Sequence, residues 1–345
     1  MEYRPTLQSC LDRAAPHTTT RAASVVVVEA LARAAVDLAA MIAAGPLAGI
    51  TGEAGALNPD GDRQRDIDIA ADRLMREALS SAPVAGLLSE EAELPETLDE
   101  AAPLCVAIDP LDGSANLENN ISVGTIFSIR PKGRDVVSTF FEPGTAQCAA
   151  GFFIYGPQTL LVLALDRRVD IFILDPRTGA FVLMKTGVQV PADTAEFAIN
   201  ASNRRHWSSA VRRYIDGCLA GATGEQDRDF NMRWIGSLVA EAYRILTRGG
   251  VFLYPSDARP GYGDGRLRLT YEAHPMAMII EQAGGSASTG RERILELSAQ
   301  SLHQRVPLIM GSSNEVRRVE ELHCDPLLVA SVSAPLFARR GFFRL

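Results

Sequence analysis

The chain has 345 residues, 47% of them hydrophobic, which is enough for one large or two medium domains with a sizeable core. A net charge of −8 and a pI of about 5.3 argue against nucleic acid as a general partner, because phosphate contacts need a basic surface. They leave room for a phosphorylated small molecule whose charge a bound cation offsets.

Five scattered cysteines, Cys10, Cys105, Cys148, Cys218 and Cys324, include no C-x-x-C pair and fit reduced thiols in a cytoplasmic setting. The polar N-terminus shows no secretory signal, and residues 1–20 read as an arm. Arg21 to Ala44 is rich in Ala and Val, but Glu29, Arg33 and Asp37 draw one polar stripe along it. That pattern predicts a largely buried helix and speaks against a membrane span. Pro46 to Arg65 reads as a long loop, the kind that serves as a lid or binding loop. Asp66 to Leu79 has helical spacing. Asp62, Asp66, Asp68 and Asp72 crowd its start, where acidic groups favour the helix dipole.

Gly86 to Glu91 reads as a short strand running into two glutamates, with more acids after it. Cys105 to Ile129 holds the centre of the chain. Its apolar run is expected to stop at Asp109, where Pro110 forbids simple continuation, and Asp112-Gly113-Ser114 turns into a second buried run from Val123. Two carboxylates beside a Gly-Ser turn suit a hard cation and a phosphate together, although Asp is also an ordinary turn residue. Strands follow at Ala149–Gly156 and Leu160–Leu165, then a hairpin over Asp170–Leu183 turning at Asp175–Gly179. A boundary is placed near Pro191-Ala192-Asp193, dividing the chain into 1–192 and 193–345. Phe197–Asn200 reads as a strand, Arg233–Ser237 as the opening of a helix, Val251–Pro255 as a strand and Gly265–Glu272 as another. Pro275 opens a further helix that closes at Gly284-Gly285.

D-P-L-D-G-S-A-N from Asp109 to Asn116, followed by V-G-T-I-F-S-I from Val123, resembles the metal-binding signature of class I fructose-1,6-bisphosphatases. The shorter D-P-x-D-G form is shared with the wider lithium-sensitive sugar-phosphatase superfamily, which includes inositol monophosphatases. Further matches follow the family's order: S-E-E at 89–91, Asn200, Arg233 in R-W-I-G-S, Tyr254 in F-L-Y-P, Glu272 in Y-E-A-H-P and H-Q-R from His303. The resemblance implies an α/β fold layered αβαβα with two mixed sheets. It implies magnesium- or manganese-dependent hydrolysis of a sugar bisphosphate, with two or more ions per site. Sedoheptulose 1,7-bisphosphate stands as a second substrate; a non-catalytic sugar-phosphate sensor and an inositol-phosphatase-like enzyme stand as alternatives.

Carried over residue by residue, the resemblance assigns metal binding to Glu90, Glu91, Asp109, the carbonyl of Leu111, Asp112 and Glu272. All are oxygen donors, which favour Mg²⁺ or Mn²⁺ over softer-site metals. Asp68 and Glu91 are expected to help deprotonate the attacking water, and Asp62 to sit on a mobile loop. Gly113 and Ser114, with Asp112, would hold the reacting phosphate. Asn200, Arg233, Tyr254 and Arg266 would hold the distal phosphate and sugar. In the family the arginine matched by Arg233 crosses to a neighbouring subunit of a homotetramer. The chain departs from the pattern at Asn203 and Trp234, where tyrosines are expected, and at His274, expected to be a packing residue. Pro103-Leu104 and Ala22-Ala23-Ser24 replace the family's AMP-binding features, so AMP inhibition is expected to be weak or absent.

Overall fold

The structure is a computed structural model that describes residues 4–13, 18–48, 53–57 and 63–325. Asp62 and the C-terminal twenty residues lie outside the described residues.

Helix α1 (Leu7–Arg13) precedes α2 (Thr19–Ala44), whose N-terminus is capped by Thr18 accepting the Arg21 N–H. Val27, Leu31, Ala35 and Leu38 are fully buried along α2, while Arg33 and Asp37 of the polar stripe reach the surface. Ala22–Ser24 lies inside this helix. Among the described residues no helix is long and apolar enough to cross a membrane. The stretch read as a loop contains a two-stranded ribbon, β1 (Glu53–Leu57) against β2 (Arg63–Arg65). It leads into α3 (Asp66–Ser80).

Eight strands then build one sheet: β3 (Val84–Ser89), β4 (Glu96–Thr97), β5 (Leu104–Asp112), β6 (Val123–Pro131), β7 (Ala149–Tyr155), β8 (Thr159–Leu165), β9 (Arg168–Asp175) and β10 (Ala180–Lys185). Their order is β10-β9-β8-β7-β6-β5-β3-β4, antiparallel except for the parallel β3–β5 pair. Near-continuous apolar runs fit this sheet because both of its faces are covered. Phe127, Phe153, Leu161 and Leu163 point to α2 and α3. Their alternates Ile126, Phe152, Leu160 and Val162 point to α6 (Leu238–Arg248) and α7 (His274–Gln282).

A second mixed sheet has the order β12-β11-β13-β17-β15, with β11 (Glu196–Ala198), β12 (Asn231–Met232), β13 (Val251–Tyr254), β15 (Ser286–Ser288) and β17 (Leu308–Gly311). Phe252 and Met310 face α6 and α7. Phe197, Val251, Leu253 and Ile309 face α5 (Ser209–Ala220) and α8 (Ser313–Cys324). Helices, sheet, helices, sheet and helices therefore stack as the expected αβαβα layers. A one-turn helix α4 (Val136–Thr139) and the ribbon β14 (Leu267–Arg268) with β16 (Arg305–Val306) complete the elements.

Three expectations need correction. Strand β5 does not stop at Asp109; it continues through Pro110 to Asp112 by way of a bulge. The helix expected from Arg233 begins only at Leu238, because Ser237 is extended and its Oγ caps the Ala240 N–H at 3.4 Å; Ile235 is left 39% exposed. The strand expected over 265–272 shrinks to Leu267–Arg268, and Leu269–Ala273 forms a wide π-helical turn leading into α7.

Candidate active site

The bulge in β5 creates the centre of the site. Asp109 pairs with Ile126 and Asp112 with Gly124, so Pro110 and Leu111 together oppose the single residue Thr125. In a regular strand, side chains three apart leave opposite faces; one extra residue returns both to the same side. Thr125 Oγ1 donates to the Pro110 carbonyl at 2.8 Å and shares a 2.9 Å bond with the Tyr155 hydroxyl, fixing the bulge from beneath. The Leu111 N–H donates to Asp109 Oδ1 at 3.0 Å.

The third carboxylate comes from the π-helical turn. Such wide turns recur at functional sites because they displace a side chain from the ordinary helical position. Ligand atoms of Asp109, Asp112 and Glu272 all lie within 4.8 Å of one another, and all three residues are buried. Glu272 accepts the Arg268 N–H, and the Arg268 guanidinium stands 3.7 Å from Glu90 Oε1. Glu90 follows β3 directly, its N–H bonded to the Ile108 carbonyl at 3.1 Å.

Burial is the main force on these acids. It pushes Asp109 well above the carboxylate range, and repulsion from Glu90, Asp112 and Glu272 pushes it further. Glu272 rises for the same reasons, partly offset by Arg268. Asp112 is raised to about 6 by burial, against the opposing N–H groups of Val239 and Leu238. These groups stand at the start of α6, and the Val239 N–H reaches Asp112 Oδ2 at 3.2 Å. Gly124 permits that approach: a Cβ there would sit 2.6 Å from Val239 and 2.3 Å from the Phe153 carbonyl. A buried set of mutually repelling oxygen donors, short of nearby cations, has the chemistry of a divalent hard-metal site.

Two acids of α3 brace this centre from one helix face. Asp68 is buried, accepts the Arg65 N–H at 2.8 Å and contacts the Ser114 hydroxyl; burial raises its pKa. One turn on, Asp72 accepts from Ser89 Oγ at 2.5 Å, and that same Oγ accepts the Glu91 N–H at 3.2 Å. Glu91 is half-buried in the Glu90 turn, outside the carboxylate triad. Gly113, at φ 75°, turns the chain from Asp112 into the short helix of Ser114–Asn119. Asn116 Nδ2 ties that helix to the Gly236 carbonyl at 2.9 Å.

A second cluster gathers polar and aromatic side chains of the C-terminal half. Asn200, Tyr254 and Arg266 line one small cleft together with Asn203, Trp207, Arg259 and Tyr262. Asn200 does not end a strand; it caps a short helix, accepting from Ser202 Oγ at 2.6 Å. Arg233 does not line this cleft. Its side chain is 53% exposed, with Nε 3.8 Å from Glu196. Trp234 stacks flat on Phe252 at 5.9 Å and packs beside Tyr254.

His274 is fully buried. Its Nε2 donates to the Leu297 carbonyl, leaving Nδ1 to accept from Arg130 at 2.8 Å. Burial and Arg130 push its pKa down to about 3, so it stays neutral as a packing residue. The sequence gives Asp72 only a helix-dipole role and assigns none to Arg268, Arg259 or Tyr262. The i, i+4 spacing of Asp68 and Asp72 was the only signal available for any of them.

The N-terminal domain description of fructose-1,6-bisphosphatase matches residues 6–186, and the C-terminal domain description matches residues 190–324. The chain belongs to the class 1 fructose-1,6-bisphosphatase family. A Bradyrhizobium sp. (strain ORS 278) relative named fructose-1,6-bisphosphatase class 1 is 70% identical over 92% of this chain and 90% of its own length. A Nitrobacter hamburgensis relative of the same name is 58% identical over the whole of both chains. The crystal structure of holo Leishmania major fructose-1,6-bisphosphatase superposes with a TM-score of 0.87 at 32% identity, covering 94% of this chain and 100% of that one.

Proposed function

We propose that this family member hydrolyses the 1-phosphate of fructose 1,6-bisphosphate, releasing fructose 6-phosphate and inorganic phosphate with Mg²⁺ or Mn²⁺ bound. The observation that carries the reading is the buried oxygen triad of Asp109, Asp112 and Glu272, set on a bulge beside the Gly113–Ser114 turn. The alternatives lose their support. A sensor would be expected to have lost a metal carboxylate, and none of the matched ones is replaced. An inositol-phosphatase-like enzyme would leave the cationic cleft without a task.

Asp109, Asp112 and Glu272, with Glu90, Glu91 and the Leu111 carbonyl, would hold two or more ions. Such ions, when bound, shield the phosphoryl charge, acidify water and stabilise the leaving oxygen. The backbone N–H groups of Gly113 and Ser114 and the Ser114 hydroxyl hold the reacting phosphate. Asp68, already in contact with that hydroxyl, takes up the water proton together with Glu91. A P–O bond to the water forms as the bond to the C1 oxygen breaks. Asn200, Tyr254 and Arg266 grip the far end of the sugar in the cleft they line together. Asp62 would close over the site. Arg233, half exposed, would reach the neighbouring subunit's cleft in a homotetramer. Residues 1–192 would supply every metal ligand but Glu272, and 193–345 that glutamate and the sugar-binding groups, in a cytoplasmic enzyme of carbohydrate metabolism.

Asn203 and Trp234 reshape the distal end, which favours sedoheptulose 1,7-bisphosphate as a second substrate; turnover of both would suit carbon fixation as well as gluconeogenesis. The test is phosphate release with Mg²⁺ from both bisphosphates side by side, with Asp112→Ala as control. Turnover of the fructose ester that vanishes in the control supports the reading. Phosphate release from neither overturns it.

A further inference from the structure

The cleft lined by Asn200, Tyr254 and Arg266 holds a second phenol and a second guanidinium that the family pattern does not account for. The loop from Pro255 to Gly265 folds back on itself. The Asp257 N–H donates to the Tyr262 carbonyl, the Tyr262 N–H to the Arg259 carbonyl and the Gly265 N–H to the Tyr262 carbonyl, each at 3.1 Å. It is anchored outward as well: Ala258 donates to the His206 carbonyl, and Asp257 is bridged to Trp207. These bonds fix the Tyr262 ring at the cleft wall.

Two cations converge on that ring. The Arg259 guanidinium lies 4.1 Å and the Arg266 guanidinium 4.8 Å from its centroid. Asp257 neutralises Arg259, its two oxygens each 3.0 Å from Arg259 Nε. Arg266 has no carboxylate within ion-pair range among the described residues. Two guanidiniums against one carboxylate leave a net positive charge in the cleft. Tyr254 completes the group. Burial keeps its hydroxyl protonated, and it lies close enough to feel Arg266 and Arg259 as well as the carboxylate of Glu272. Arginine forks and phenol hydroxyls converging under net positive charge are the chemistry that holds a phosphate dianion.

We propose that Tyr262 and Arg259 belong to the seat for the substrate's distal phosphate, standing in for the phenols that positions 203 and 234 do not offer. Tyr262 acts twice. Its ring holds Arg266 flat against the cleft, and its hydroxyl donates to the phosphate. Asp257 orients Arg259, whose Nη1 carries no bond among the described residues and would donate to the ligand. The inference rests on the bisphosphatase reading, and it makes this loop a determinant of sugar length at the distal end.

The experiment is calorimetric binding of fructose 6-phosphate and fructose 1-phosphate to wild type, Tyr262→Phe and Tyr262→Leu, with kcat and KM for fructose 1,6-bisphosphate measured in parallel. Fructose 6-phosphate carries only the distal phosphate, and fructose 1-phosphate only the reacting one. Tyr262→Phe keeps the ring and should weaken fructose 6-phosphate about tenfold, the size of one lost charge-assisted hydrogen bond. Tyr262→Leu also releases Arg266 and should weaken it further. The Kd for fructose 1-phosphate should shift by much less, and the bisphosphate KM should rise by a larger factor than kcat falls. Equal weakening of both monophosphates, or no change in either, overturns the proposal while wild-type turnover leaves the bisphosphatase reading intact. A wild-type protein that neither binds these sugars nor releases phosphate overturns both.

Discussion

Replacing Asp112 with Asn should stabilise the metal-free protein while abolishing catalysis. The folded chain raises the Asp112 pKa from 3.8 to about 6, chiefly by burial. A group whose folded pKa is raised holds its proton more tightly when folded. Stability therefore falls as pH climbs from about 4 through about 6, and the full loss is present above that window. The displacement corresponds to about 3 kcal/mol at pH 8. Asn removes the charge and keeps an oxygen for the Val239 N–H, while its new amide can donate to the neighbouring acids Asp109 or Glu272. The expected gain at pH 8 is about 1–3 kcal/mol, or about 2–4 °C in Tm for a chain of this size. At pH 4 the gain should vanish, because wild-type Asp112 is then protonated in the fold. Thermal unfolding in chelator at pH 8 and pH 4, beside phosphate release in Mg²⁺, reads both effects. A destabilised Asp112→Asn protein in chelator at pH 8, or one that keeps activity, would refute the argument.

Other outcomes follow from the same geometry. Mg²⁺ affinity should weaken at least about tenfold from pH 7 to pH 5, because Asp112, at about 6, and the likewise raised Asp109 and Glu272 must shed protons to coordinate; titration calorimetry at the two pH values checks it. Gly124→Ala forces a Cβ to 2.3 Å from the Phe153 carbonyl and should push α6 away from Asp112. A loss of about 3 kcal/mol in urea unfolding and at least a tenfold lower kcat are expected. AMP at millimolar concentration should leave phosphate release within twofold of its uninhibited rate, since Ala22–Ser24 is helix and Pro103-Leu104 offers neither cation nor phenol. Micromolar inhibition would contradict that.

The layers were readable because apolar periodicity and strand-length runs report local structure; α2, α3 and most central strands fall within a residue or two of where the pattern put them, while β5 runs three residues past its expected end at Asp109. The acids of the site were readable because Asp109, Asp112 and Glu272 sit in contiguous motifs. How they meet was not readable. A bulge depends on which residues stand opposite in another strand, and Thr125 gives no local sign of facing two residues. The π-helical turn at Glu272 looks like strand alternation in G-R-L-R-L-T-Y-E until α7 continues it as helix. Tyr262 and Arg259 lie in a loop without periodicity, so only their ring–cation contact in three dimensions draws them into the cleft. Asp72 was read as a dipole residue because its partner Ser89 lies on another element.

The most direct test of the central claim is the fate of each phosphate of fructose 1,6-bisphosphate, followed by phosphorus NMR with Mg²⁺ and repeated in chelator. Fructose 6-phosphate and inorganic phosphate should appear in equal amounts, and neither should form once the metal is removed. Accumulation of fructose 1-phosphate, or hydrolysis that continues in chelator, would contradict a metal-centred attack at the 1-phosphate with the distal phosphate held in the cationic cleft.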